Sequence, residues 1–426
     1  MRRKKSWGAI IVTLALLLGL VFSGQSAQAA QTQGTAYVSV EKFTIGQGYL
    51  IEPTAMTIEP GTTTCKDVIE KLLKDNGYTY ETGTGSSYVI TSIDKADSKK
   101  LNIPKCIQEM PDFSTSWGGD NSAPTNENNM GNASDSLGSY SYHSTAGWMY
   151  TVNGAVPSVT MDSYTLQDGD VMRFQFSVYG YGADLGDVNT KDWYGIEALN
   201  LPAKETVTKD LALMKQALKA YPNSQGTKVY QSAIAVVTDM DQTQDAVSKA
   251  EKSVSDWLAS YKKDLEKAAQ VTSKINALGT IALSKQSAVK AARSAYNTLT
   301  ATQKKMVSSA VYAKLTKAES TIKNLLAKKY TPAKTILKSV KNAGSRKVRL
   351  TWKKSTKATG YQVYRSTKRN KGYQKVKTIR NRKTISYKTG KLKKKKTYYF
   401  KIRTYKKVGT KVYYGKFSNV KSLKIK

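Results

Sequence analysis

His143 is the single histidine in 426 residues, so no mechanism that needs two imidazoles is open to this chain. No nucleophile-elbow motif accompanies it to complete a Ser-His-Asp arrangement, and a lone histidine in a loop reads as a polar loop residue. Asp168 and Asp170 flank Gly169, but Asp-Gly-Asp ahead of a strand reads as a turn rather than an acid–base pair. No Cys or His cluster has metal-ligand spacing. The residues therefore predict no catalytic group, no metal and no cofactor. What remains is binding chemistry. Trp117, Tyr140, Tyr142, His143, Trp148, Tyr150 and Asn153 gather around a Gly-, Asn- and Ser-rich stretch from 112 to 144. Aromatic rings beside glycines can stack on a sugar, a peptide or a planar cofactor. Trp148 and Tyr150 share one strand face and read first as core. For Trp117 and Tyr142, in a polar loop, packing and ligand binding stay equally open.

The second chemistry is electrostatic. The formal net charge of +37 is unevenly placed: residues 31–190 hold 9 basic and 19 acidic side chains, 191–330 hold 22 and 12, and 331–426 hold 33 basic and no acidic residue. A 96-residue segment without a carboxylate repels itself unless anions are nearby. It predicts an anionic-polymer surface, with Lys393, Lys394, Lys395, Lys396, Lys406 and Lys407 as its candidate contacts. Nucleic acid is not the expected polyanion, because no recognition motif is present and the chain starts with an export signal.

That signal comprises Arg2 to Lys5, an apolar run from Trp7 to Phe22, and Ala27-Gln28-Ala29. A basic start, a short apolar run and A-x-A spacing predict cleavage after Ala29. No lipoprotein cysteine, sortase-type motif or later apolar span is seen, so the mature chain is expected outside the membrane, secreted or held on the wall. In an exported chain, two cysteines read as one disulfide. Cys65 and Cys106 would close a loop of about 42 residues, worth about 4 kcal/mol by chain entropy.

Elements follow from periodicity and punctuation. Period-two alternation predicts strands at 37–43, 56–59, 88–93, 148–152 and 171–178. Thr64 with Asp67 caps a helix whose apolar face is Val68, Ile69, Leu72 and Leu73, ending at Asn76-Gly77. Helical spacing then dominates residues 200–330, with a Thr300/Gln303 capping box. Short alternating strands dominate 331–426. The expected organisation is a leader (1–29), an α+β domain (30–190), an all-α spacer (191–330) and a basic all-β domain (331–426), a multidomain chain.

Three resemblances sharpen this. Pro60 to Thr63 before the helix, Gly147-Trp148-Met149-Tyr150-Thr151-Val152-Asn153-Gly154 and Tyr164 to Asp170 resemble a domain of unknown function in Gram-positive surface proteins, related to the C-terminal domain of transcobalamin. The resemblance implies a β-grasp-like fold and a ligand-presenting module, with cobalamin as a cofactor by distant analogy alone. Residues 275–326, with Ala291 to Thr300 and Gln303-Lys304-Lys305, resemble a small helical repeat that spaces domains in surface proteins. The last segment resembles a fibronectin type III domain, an immunoglobulin-like sandwich, with Trp352 as core tryptophan and Tyr398, six residues after Leu392, at the tyrosine-corner position. The usual corner proline is replaced by Lys393 to Lys396. Together these imply a non-enzymatic, surface-displayed binding protein, with capture of a small corrinoid-like ligand as the alternative.

Overall fold

The computed structural model of the chain describes residues 33–85, 87–111, 113 and 135–426. The expected leader and Trp117 lie outside these residues. Packing divides the chain into two compact units, one up to Glu266 and one from Lys267.

The first unit is α+β. Its strands are β1 (Gly34–Glu41), β2 (Tyr49–Ile58), β3 (Tyr80–Thr82), β4 (Ile90–Ile93), β5 (Leu137–Gly138), β6 (Gly147–Val152) and β7 (Val171–Ser177). The main sheet has the order β2-β1-β7-β6, and β3-β4-β5 form a smaller one. β1 runs antiparallel to β2 but parallel to β7, which pairs antiparallel with β6. Helix α1 (Cys65–Asp75) has the expected start: the Thr64 hydroxyl accepts the Asp67 N–H, and the Asp67 carboxylate accepts the Thr64 N–H. Its Val68, Ile69, Leu72 and Leu73 join Ala36, Val38 and Val40 of β1 in one buried cluster.

The central strand β1 is buried on both faces, as a strand between two layers must be. After two short helices, α2 (Lys105–Gln108) and α3 (Thr190–Tyr194), comes α4 (Glu205–Ala220), followed by α5 (Ser224–Thr238) and α6 (Gln244–Asn276). Tyr37, Val171 and Ala55 on the second face of the sheet meet Ala212 and Leu213 of α4. Val207, Leu211 and Met214 of α4, Val237 of α5 and Val247 and Val254 of α6 belong to the same core as α1. The composition shift near 190 is thus not a break in packing. The sheet has an apolar second face that needs cover, and the helices read from sequence as spacer supply it.

The two cysteines are free, Cys65 buried and Cys106 half-buried, which corrects the expected disulfide. Cys65 opens α1 inside the core, whereas Cys106 lies on α2, where its N–H and that of Lys105 are held by the Asp241 carboxylate at 2.8 and 2.9 Å. The Cys106 thiol points to Met240 O at 3.8 Å, and burial pushes each thiol up to about 12.

In the second unit, α7 (Gln286–Thr298), α8 (Ala301–Met306) and α9 (Ser309–Tyr330) precede the strands. α8 begins at the Thr300/Gln303 capping box. Val289 and Ala292 of α7 and Leu315, Ala318 and Ile322 of α9 are buried, and Arg293 of α7 pairs with Glu319 of α9 at 2.7 and 2.8 Å. The strands are β8 (Leu337–Asn342), β9 (Val348–Trp352), β10 (Gly360–Ser366), β11 (Gln374–Ile379), β12 (Ser386–Lys388), β13 (Thr397–Val408), β14 (Lys411–Tyr414) and β15 (Lys421–Lys424). One sheet is β12-β9-β8; the other is β11-β10-β13-β14, with β15 also on β13. Between them lie Leu350, Trp352, Tyr361, Val363, Phe400 and Ile402, with Trp352 1% exposed. The Tyr398 hydroxyl accepts the Lys393 N–H at 3.2 Å, so the corner forms without its proline.

Candidate functional site

The loop between β5 and β6 carries Tyr140, Tyr142 and His143. Tyr140 (φ 65°) and Tyr142 (φ 71°) take left-handed backbone, a conformation costing a non-glycine residue about 1 kcal/mol. Tyr140 N–H to Ala146 O (2.9 Å) and Ser141 N–H to Gly138 O (3.0 Å) hold the turn. Tyr142 donates to Asp97 Oδ2 at 2.6 Å; burial first, then that bond, raises its phenol above the usual range. His143 is buried, with Nδ1 2.8 Å from Thr145 Oγ1 and its ring edge-on to Tyr179 at 5.1 Å. Burial holds its imidazole below the ordinary value. Tyr140 is 47% exposed and faces solvent.

Trp148 and Tyr150 sit on β6. Trp148 is buried, stacks on Phe174 at 5.0 Å and donates its indole N–H to Leu137 O at 2.8 Å, tying β6 to β5. Tyr150 is half-buried and donates to Val159 O. Asn153 donates to Asp170 Oδ1 at 2.9 Å and accepts the Val171 N–H at 3.0 Å. Asp168 accepts the Thr35 N–H and Asp170 the Gln167 N–H, so the Asp-Gly-Asp pair is a turn. The fold thus brings the described members of the aromatic set to one loop and the strand beside it, with Trp148 a core residue.

Two features go beyond the residues singled out from the sequence. Tyr181, Trp193 and Tyr194 are 43%, 64% and 52% exposed, with Tyr181 and Tyr194 ring centroids 4.4 Å apart. Adjacent aromatics outside any apolar periodicity were the available signal. The other is a cavity of about 330 Å³ lined by Glu41, Arg173, Lys204 and Glu205, with Phe43 and Met240 among its apolar walls. Arg173 Nε and Nη2 grip Glu41 at 3.0 and 2.7 Å, and Nη1 reaches Glu205 at 3.4 Å. The buried Lys204 ammonium donates to Val237 O at 2.8 Å. Burial first, then the Arg173 charge, lowers it to about 8. Glu41 and Arg173 are 132 positions apart, so no local motif announces this cluster. Among the described residues no group of three or more His, Cys, Asp or Glu could hold a metal ion.

In the second unit Lys393, Lys394, Lys395 and Lys396 are exposed on the loop before β13; Lys407 is exposed and Lys406 half-buried. No described helix is long and apolar enough to cross a membrane.

An α+β unit and a helix-bearing unit ending in an immunoglobulin-like sandwich make this a modular protein. Residues 132–178 match a family described as a domain of unknown function, DUF4430, and the match contains both the Gly147–Gly154 and Tyr164–Asp170 blocks. No curated protein sequence matches the chain. Among solved structures the chain is similar to a fibronectin type III domain from a human protein, at 17% identity over 21% of this chain and 72% of that one, TM-score 0.18. It is similar to the sixth such domain of human fibronectin type III domain containing protein 3, at 18% identity over 22% and 85%, TM-score 0.19. It is also similar to a beta-1,2-glucanase from Parabacteroides distasonis, at 21% identity over 22% of this chain and 13% of that one, TM-score 0.19. The sandwich stands on the chain's own strand order, core tryptophan and tyrosine corner.

Proposed function

We propose that this is an exported, non-enzymatic binding and display protein of a Gram-positive surface. The first unit, a β-grasp-like module, faces a ligand through its loop aromatics. The helices of residues 267–330 act as spacer, and the basic sandwich is held by anionic wall polymers. One observation carries the reading: 33 basic residues and no acidic one over residues 331–426, folded into a sandwich whose lysine loop is exposed. Exposed charges act over about 8 Å at physiological ionic strength and about 3 Å at 1 M salt. Retention built on them is expected to fall steeply with salt. The test is binding of the full chain to isolated walls across a salt series, with walls stripped of teichoic acid beside them. Undiminished binding to stripped walls, or binding that survives 1 M salt, rejects electrostatic retention.

The Arg173–Lys204 cavity favours a second reading, capture of a small ligand by the first unit. Incubation with cobalamin followed by gel filtration tests its corrinoid form: co-elution of the corrinoid absorbance supports it, and its absence removes it.

A further inference from the structure

In the first unit and in the helices, the half-buried arginines meet carboxylates, Arg173 with Glu41 and Arg293 with Glu319. Residues 331–426 have none to offer, and there aromatic rings take that place. Phe400, Ile402 and Thr404 of β13 are fully buried, so Lys401 and Arg403 lie on the outer face of the five-stranded sheet. Across the ladder Lys401 opposes Tyr364 and Arg403 opposes Gln362. The Arg403 guanidinium lies 3.8 Å from the Tyr414 ring centroid, 5.2 Å from Tyr364 and 5.3 Å from Phe417. The Lys401 ammonium lies 4.1 Å from both Tyr373 and Phe417. Gln362 Oε1 accepts from Arg403 Nε at 2.9 Å and from the Tyr364 hydroxyl at 3.1 Å, locking the arginine fork.

A ring attracts a cation through its quadrupole and leaves the net charge available. Arg403 directs its Nε at Gln362, which leaves the two Nη groups for an incoming anion. A cation held between rings also loses less side-chain freedom on binding than a free lysine in a loop. Lys401 and Arg403 leave one strand two residues, about 7 Å, apart on the same face, and both charges flank the Phe417 ring. Half-buried Tyr373 and Phe417 and exposed Tyr414 offer stacking surface beside them.

We propose that this sheet face, rather than the Lys393–Lys396 loop, is where the sandwich grips its polymer. The ligand class is an anionic glycan whose sulfate or phosphate groups seat on Arg403 and Lys401 while its sugar rings lie against the flanking aromatics. The site rests on the polyanion reading above and is separable from it.

The experiment measures full-chain affinity for dextran sulfate at 150 mM salt and its salt dependence, with a charge-matched single-stranded DNA beside it. Counting charges alone, K393Q/K394Q/K395Q/K396Q, which removes four, must lose more affinity and more salt slope than R403Q/K401Q, which removes two. The reverse is expected: at least tenfold loss for R403Q/K401Q and under threefold for the quadruple variant. Arg403→Lys keeps the charge and the fold but not the stacked fork; several-fold loss with unchanged salt slope is expected. A larger loss in the quadruple variant, or wild-type affinity in both R403Q/K401Q and R403K, overturns the site and leaves polyanion retention standing. Failure of the wild type to bind dextran sulfate removes both. Binding to DNA as tight as to dextran sulfate overturns the glycan assignment in favour of nucleic acid.

Discussion

Lys204 shows how a single buried charge sets conditions for the first unit. Its ammonium is almost out of water, donates to one carbonyl and lies 5.2 Å from the Phe43 ring centroid. Its folded value near 8 lies below the ordinary 10.5. The stability that comes from the neutral amine is therefore present above 10.5 and is lost as pH falls through 8. Lys204→Met is expected to flatten this dependence and to raise stability at pH 7 by roughly 2 kcal/mol. Urea unfolding at pH 7 and pH 10 measures it; a variant with the same difference between the two pH values as wild type refutes it. The cysteines make a second residue-scale case. With both thiols free and pushed up to about 12, the native protein is expected to alkylate slowly at pH 8. Unfolding without reductant should then expose two thiols to iodoacetamide. A mass spectrum with none labelled would restore the bridge.

At the level of elements, the aromatic strand and the covering helix carry the first unit. Trp148 joins β6 to β5 and stacks on Phe174, so Trp148→Ala is expected to cost about 3–5 kcal/mol. Tyr140→Ala, at a solvent-facing position, is expected to stay within about 0.5 kcal/mol. Equal melting of the two variants would mean the strand tolerates an empty core position. Helix α4 covers Tyr37, Ala55 and Val171, and Leu211 is fully buried. A fragment of residues 31–190 leaves that face open and is expected to bind hydrophobic dye and unfold without cooperativity. A fragment through residue 276 should unfold in one sharp transition. A cooperative 31–190 fragment would show that the helices are dispensable.

On the scale of the whole molecule, charge governs behaviour. The last 96 residues carry 33 positive charges and no negative ones, so their self-repulsion opposes the compact sandwich. Screening should relieve it: the calorimetric transition of the sandwich is expected to rise by several degrees between 20 and 500 mM salt. A polyanion at low salt should raise it further, because a ligand bound by the folded state stabilises that state. An unchanged transition in both conditions would mean the charges are already compensated.

How much of this was legible in advance depended on range. The Thr64 cap, the Thr300/Gln303 capping box, the Asp-Gly-Asp turn, the Trp352 core and the Tyr398 corner were readable because each depends on residues within a few positions or on strict alternation. Charge segregation was readable because composition needs no geometry. The unit boundary after Glu266, the free cysteines, the Glu41–Arg173–Glu205 cluster and the ring-held cations of β13 were not. Each depends on which distant strand or helix is the neighbour, and hydrophobic patterning specifies that a face must be buried without naming what buries it. Sequence by itself determined the helix of residues 65–75, the long central strands, the helical character of residues 205–330 and the charge of each segment. Tertiary packing decided which helices close the first core, and it gathered Arg403, Lys401 and their aromatic partners onto one face, because pairing across strands joins residues as distant in the chain as Gln362 and Arg403.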